Sequence, residues 1–270
     1  MTLSIPEMLQ KETKFDLLSN TLFLAYRGSL LHGTFIRGIS DNDLIGFAAP
    51  PLTYILGLNN TPPLKWEQFE HQTSEEDGDW DILVYSLDKV VRLLLKCNPN
   101  MMEMLWIPDE KIITRKWQYQ TLRANRHLFC SKLAYEAFGK YAAGQLHHMK
   151  NGGLTRDMGA KRKEMVEQFG YDTKNASSLI LLLNQGIEFL KTGEIICDRT
   201  EIDAGYLTEI KRGKYPLFQV QDVAQSLLVE LNIAYAESTL PEQPDKEAVD
   251  KLLIQLMAET YAEGICNVIK

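Results

Sequence analysis

Tyr26 to Gly46, YRGSLLHGTFIRGISDNDLIG, decides the fold of this chain. It places Gly28-Ser29 directly after the apolar run TLFLAY (Thr21 to Tyr26), and then sets two aspartates, Asp41 and Asp43, one residue apart. The apolar run reads as a strand or the last turn of a helix. A Gly followed by Ser at the start of a new helix lets the backbone come close to an anion, with N–H groups and a hydroxyl pointing at it. Ser40 to Phe47 reads as a second strand, on which Asp41 and Asp43 share a face about 7 Å apart. Two like unit charges at that distance repel by roughly 2 kcal/mol at an effective dielectric near 20. Water or a cation must offset that repulsion, and a hard divalent ion with carboxylate, water and phosphate-oxygen ligands does so directly. The plain structural alternative is a polar SDND turn that caps a strand or helix.

A third carboxylate comes from farther along the chain. WDILVYS, Trp80 to Ser86, has the β-branched, aromatic and apolar content of a strand, and Asp81 stands at its mouth. Asp81 beside Asp41 and Asp43 would complete an acidic cluster, although Asp79 shares its face by the same period of two.

At 270 residues, with 45% hydrophobic and 24% charged residues, the chain has an ordinary globular composition with room for one large or two ordinary domains. A net charge of -7 argues against holding nucleic acid by a general basic field, while leaving a local basic patch open. The N-terminus lacks the apolar core of a signal peptide, and no apolar run approaches the length of a membrane span. Cys97, Cys130, Cys197 and Cys266 are scattered without metal-ligand spacing, as expected of free buried thiols in a reducing cytoplasm.

Residues 1 to 20 read as an amphipathic lead-in helix. Proline pairs at Pro50-Pro51 and Pro62-Pro63 leave space only for a short strand or turn at Tyr54 to Leu56, and Lys65 to Asp79 reads as a solvated excursion. Leu87, Val90, Val91, Leu94 and Leu95 recur at helical spacing, Asn98-Pro99 stops that helix, and Met101 to Trp106 resumes with an apolar turn. Glu103, within the Met-rich turn, is expected to pair with a cation. A polar turn follows from Asp109 to Lys116, and from Trp117 onward the period is helical, with helices over 131–150, 159–170, 177–193 and 245–265 and a shorter one near 219–234. Gly170 and Gly193 serve as helix stops. The change of period places a domain boundary near residue 115, giving units 1–115 and 116–270.

Collinear motifs carry a resemblance: RGSLLHGT (Arg27 to Thr34), ISDNDLIGF (Ile39 to Phe47), DILVYSLDKVVRLLLKCNPNMMEML (Asp81 to Leu105), YAAGQL (Tyr141 to Leu146), KRKEMVEQFGYDTKNA (Lys161 to Ala176) and KTGEI (Lys191 to Ile195). Together they resemble the DNA polymerase β-like nucleotidyltransferase superfamily, and within it the bacterial and phage nucleotidyltransferases associated with RNA repair ligases. The resemblance implies an α+β fold, with a mixed catalytic sheet flanked by helices over 1–115 and an all-helical domain over 116–270. It also implies transfer of a nucleoside monophosphate from an NTP to an acceptor hydroxyl with release of pyrophosphate. Asp41, Asp43 and Asp81 would hold two Mg²⁺, or Mn²⁺, Asp81 being the nearest base, and Gly28 and Ser29 would take the β- and γ-phosphates.

Lys174 is either part of a capping motif after Asp172-Thr173 or a cation that reaches the triphosphate or the acceptor. Lys161, Arg162 and Lys163 form a solvated helix face or contact an RNA backbone. Tyr141 and Gln145 share a helix face and are expected to pack, while His147 and His148 receive no role. The implied acceptor is RNA, such as a tRNA or a repaired RNA end. The alternatives are a protein or small-molecule acceptor, or a non-catalytic nucleotide- or RNA-binding module. The chain departs from the family pattern with Asn42 between the aspartates, His32 in place of an aromatic Tyr, and Asn175, Ser177, Ser178 and Leu181 where His, Met, His and Arg are expected.

Overall fold

The computed structural model describes residues 4–10, 15–56, 66–73, 80–150 and 160–268; side chains of 147–150, 160–162 and 263–268 are outside that description. Two short helices, α1 (Ile5–Leu9) and α2 (Leu17–Asn20), lead into β1 (Thr21–Tyr26), the short helix α3 (Gly28–Leu31) and β2 (Asn42–Ala48). Next come α4 (Leu52–Leu56), β3 (Gln68–Gln72), β4 (Trp80–Ser86), α5 (Leu87–Leu94), α6 (Pro99–Met104) and β5 (Ile112–Arg115). The rest is helical: α7 (Trp117–Ala124), α8 (Leu133–Lys150), α9 (Ala160–Phe169), α10 (Thr173–Thr192), α11 (Ala204–Lys211), α12 (Leu217–Glu237) and α13 (Lys246–Val268).

The five strands form one mixed sheet in the order β3-β4-β2-β1-β5. β2 and β4 run parallel, which requires a crossover, while β1 is antiparallel to both of its neighbours and β3 is antiparallel to β4. This is the α+β architecture expected from the resemblance. Alternation along the strands divides the core in two. On one face Leu24, Leu44, Ala48, Ile82 and Val84 pack with Met8, Leu9 and Leu17 from the lead-in helices. On the other, Phe23, Ala25, Ile45 and Phe47 join a core that continues through Leu87, Met102, Tyr119, Phe138, Leu183 and Phe189 to Leu256. Tyr119 stacks on Phe23 with ring centroids 4.0 Å apart and donates its hydroxyl to Met104 O, so its ring fills the core while its polar end is satisfied. Residues on both sides of position 115 thus share one continuous core.

Local chemistry sets the helix starts. Ser86 accepts from Lys89 N to open α5, Asn98 accepts from Met101 N with Pro99 in the first turn of α6, and Asp172 accepts from Asn175 N at 2.9 Å to open α10. Gly170 and Gly193 stop α9 and α10 with φ of 77° and 73°, as expected.

Several elements differ from the expectations. Within Lys65 to Asp79, Gln68–Gln72 is an edge strand held by its ladder to β4; Phe69 alone is buried, so no apolar alternation marks it. The expected polar turn holds at Asp109–Lys111, but Ile112–Arg115 forms the edge strand β5 with every residue except Ile112 exposed. Tyr54 to Leu56 lies in a helix rather than a strand or turn. α10 begins four residues before Ser177, and α11 is an added helix. Cys97, Cys130 and Cys197 are free and buried. Among the described residues no helix is long and apolar enough to cross a membrane.

Candidate active site

Period-two alternation puts Asp43 on the same face of β2 as Ile45 and Phe47, the face turned toward the helices that follow residue 116. Its register partner on β4 is Asp81, and parallel partners project to the same side. Asp41 stands just before the start of β2. Asp79 lies outside the described residues, so the third carboxylate in the described site is Asp81. All six expected site residues, Gly28, Ser29, Asp41, Asp43, Asp81 and Lys174, line one cavity of about 360 Å³.

The backbone beside the carboxylates is built for close approach. Arg27 N–H donates to Asp43 O at 3.0 Å, which fixes the turn into α3 against β2. Gly28 has φ of 58°, and a Cβ at that position would sit 2.5 Å from Asp43 Oδ2. Glycine is required both for the left-handed backbone and for the space that the carboxylate fills. Ser29 is buried and faces the same cavity.

The electrostatics are mixed in sign. Burial pushes the Asp43 carboxyl up to about 6; Arg27 opposes the shift, Asp81 and Asp41 reinforce it, and Lys174 opposes it. Lys174, in the first turn of α10, donates to Asp41 Oδ2 at 3.2 Å, so its ammonium lies on a carboxylate rather than serving only as part of a cap. A further cation was not anticipated. Lys211, at the end of α11, is buried and donates to Thr34 Oγ1 at 2.9 Å and to Thr34 O at 3.1 Å. Burial pulls its ammonium down to about 8, the charge of Lys174 adds to this, and Asp43 and Asp41 oppose it. In sequence Lys211 belongs to the surface-like cluster KRGK, Lys211 to Lys214, and nothing there marks it as buried.

The donor set suits a hard divalent ion. Three carboxylates supply oxygen ligands only, Asp43 is held back from ionising by burial and by its like-charged neighbours, and an ammonium already occupies Asp41. Among the described residues no group of three or more Asp, Glu, His or Cys side chains stands close enough together to hold a metal ion, and Lys174 lies on Asp41.

The helical wall contains Tyr141 and Gln145 from α8 together with Asn175, Ser178 and Leu181 from α10. Tyr141 and Gln145, expected to pack, therefore face the cavity, and Gln145 Oε1 is buried without a hydrogen-bond partner among the described residues. Ser177 also borders the cavity, with its hydroxyl donating to Leu207 O at 3.0 Å. The side chains of Lys161, Arg162, His147 and His148 lie outside the described residues. Glu103, expected to pair with a cation, instead accepts from the neutral Gln185 amide at 2.8 Å and lies 3.4 Å from the His32 ring.

The loop after α10 clasps the two halves. His32 Nδ1 donates to Cys197 O at 2.9 Å, and Arg199 N donates to His32 O. Arg199 is 1% exposed and binds both carboxylate oxygens of Glu188, at 2.8 and 2.7 Å, and both of Asp203, each at 2.8 Å.

Comparison with known proteins bears on this geometry. No curated protein matches the chain. A solved nucleotidyltransferase-like protein from Exiguobacterium sibiricum matches at 11% identity over 89% of this chain and 74% of that one, with a TM-score of 0.28, an overlap too loose to support an argument. The RlaP family model, described as the RNA repair pathway DNA polymerase beta family, matches residues 5–174, which contain every expected site residue. That match covers well over half of the 270 residues, and the chain belongs to the RNA repair pathway DNA polymerase beta family of nucleotidyltransferases.

Proposed function

We propose that the protein transfers a nucleoside monophosphate from an NTP to an acceptor hydroxyl, with an RNA end, of a tRNA or of an RNA under repair, as the acceptor. One observation carries the reading: three carboxylates and the cations Arg27, Lys174 and Lys211 face a single cavity. A bare anion would be repelled by Asp41, Asp43 and Asp81, and a bare cation by the basic groups; a metal-bound triphosphate satisfies both signs. Asp41, Asp43 and Asp81 would hold two Mg²⁺, or Mn²⁺, which when bound neutralise triphosphate charge and acidify the acceptor hydroxyl.

The chain's own groups do the rest. Gly28 leaves the backbone open beside Asp43, and Ser29 offers a hydroxyl to the outer phosphates. Lys174 can exchange Asp41 for a phosphate oxygen, a swap between like partners. Lys211, desolvated and fixed by Thr34, adds positive charge that grows in effect as water leaves the cavity. Asp81, the register partner of Asp43, would take the acceptor proton. The family description supports an RNA acceptor.

Incubation with an α-labelled NTP, Mg²⁺ and an RNA pool is expected to label RNA, and Asp41→Ala with Asp43→Ala to abolish that label. Undiminished labelling by the double variant would overturn the site, and label on protein with RNA unlabelled would move the acceptor to a protein side chain.

A further inference from the structure

Beyond the carboxylates the cavity reaches an inner end that the transfer chemistry does not use. There α6 presents Glu103 and α10 presents Gln185, which is only 2% exposed. Glu103 Oε1 accepts from Gln185 Nε2 at 2.8 Å and lies 3.4 Å from His32 Nε2. His32 is fixed from behind by its Nδ1–H to Cys197 O. Because a carboxylate only accepts, the Gln185 amide must turn its NH₂ toward Glu103, leaving its Oε1 as the outer acceptor. Glu103 Oε2 has no protein donor among the described residues. The polar face at this end therefore offers two acceptors, Glu103 Oε2 and Gln185 Oε1. Met104, Ile107, Leu181 and Leu182 supply apolar walls around it, the mixture expected of a site for a flat heteroaromatic group.

We propose that this inner end is the nucleobase subsite of the transferase described above and that it selects guanine. Among the four bases guanine alone presents two adjacent donors, N1–H and the N2 amine, on its pairing edge. Adenine, cytosine and uracil each place a ring or carbonyl acceptor next to their single donor. In this subsite that acceptor would face a carboxylate or amide oxygen out of water, where an unpaired polar group is costly. The inference rests on the transferase reading for the presence of a nucleotide, but the choice of base rests on Glu103 and Gln185 alone.

The test is equilibrium binding, read by calorimetry on the full chain with Mg²⁺ and GTP, ITP, ATP, CTP or UTP. GTP is expected to bind about 10- to 100-fold more tightly than ATP, CTP or UTP. ITP, which lacks only the N2 amine, should fall between, about tenfold weaker than GTP. Glu103→Gln replaces an acceptor by a donor that suits the adenine edge, and should lower the GTP-to-ATP preference by about tenfold or more. A melting curve of that variant confirms that it is folded, and the ITP comparison in the wild-type protein holds whether or not it is. ITP binding as tightly as GTP, or an unchanged preference in folded Glu103→Gln, overturns the guanine subsite. Equal binding of all five nucleotides overturns it while leaving the transferase reading intact, and binding of none overturns both.

Discussion

Gly28→Ala separates two effects that share one residue. The first is backbone strain: at φ of 58° an L side chain costs about 1–2 kcal/mol, a fall of a few degrees in melting temperature for a chain of this size. The second is displacement: the new Cβ would lie 2.5 Å from Asp43 Oδ2, against 3.4 Å or more for ordinary contact, so the carboxylate must retreat by roughly 1 Å. A misplacement of that size in a reacting constellation lowers the rate about 100-fold. Gly38 supplies the control, because it has φ of 82° and open space where a Cβ would go. Gly38→Ala should therefore carry a similar backbone penalty with activity preserved. The assay is transfer of labelled NMP at saturating RNA, with thermal melts of both variants in parallel. Full activity in Gly28→Ala, or equal losses in the two variants, would refute the claim that Gly28 exists to let Asp43 reach its place.

Two further outcomes follow from charge. Asp43 has a folded pKa of about 6 against an ordinary 3.8, so its charged form is disfavoured in the metal-free fold. The resulting penalty is absent below about pH 4, grows as pH rises toward 6 and then levels off, on the order of 1–3 kcal/mol. Asp43→Asn is expected to melt above wild type at pH 7–8 in EDTA, with the gap closing toward pH 4 and catalysis lost; parallel pH profiles for the two proteins would contradict this. Arg199→Met strands Glu188 and Asp203 together in a half-buried pocket, and breaking such a network costs about 3–5 kcal/mol, or on the order of 10 °C in melting temperature. A drop of less than 2 °C would show that the clasp contributes little.

The parts of the fold legible in sequence were those in which chemistry and local pattern coincide. Asp43 and Asp81 announce themselves because strand alternation and residue type together point to one face, and the structure pairs them there, while Gly28-Ser29 and Asp41, outside the strands, reach the same cavity. The edge strands β3 and β5 were not legible, since a strand with one solvated face and a single buried Phe69 has no period to detect. Lys211 was hidden for a different reason: its burial is created by α11 packing beside α10, a tertiary fact with no trace in KRGK. Gln185 was hidden likewise, being one of many polar residues on α10, with a role that appears only when α6 is placed opposite it. Tyr141 and Gln145 share a helix face, as their i, i+4 spacing indicates, but spacing cannot say whether that face meets core or cavity.

The division of labour between strands and α10 has a consequence for how such an enzyme could change its target. Asp43 and Asp81 are placed by the register of two backbones, which few side-chain changes can shift. Asn175, Ser178 and Leu181, by contrast, stand on one helix surface, where each can be exchanged without moving a strand. In this chain those three positions carry no formal charge, so an incoming molecule meets neutral groups there and charge only at the carboxylates and at Arg27, Lys174 and Lys211. Target choice could therefore be rewritten along a single turn-by-turn stripe while the phosphoryl chemistry is inherited unchanged. A library confined to those three positions would be a direct route to re-aiming the enzyme.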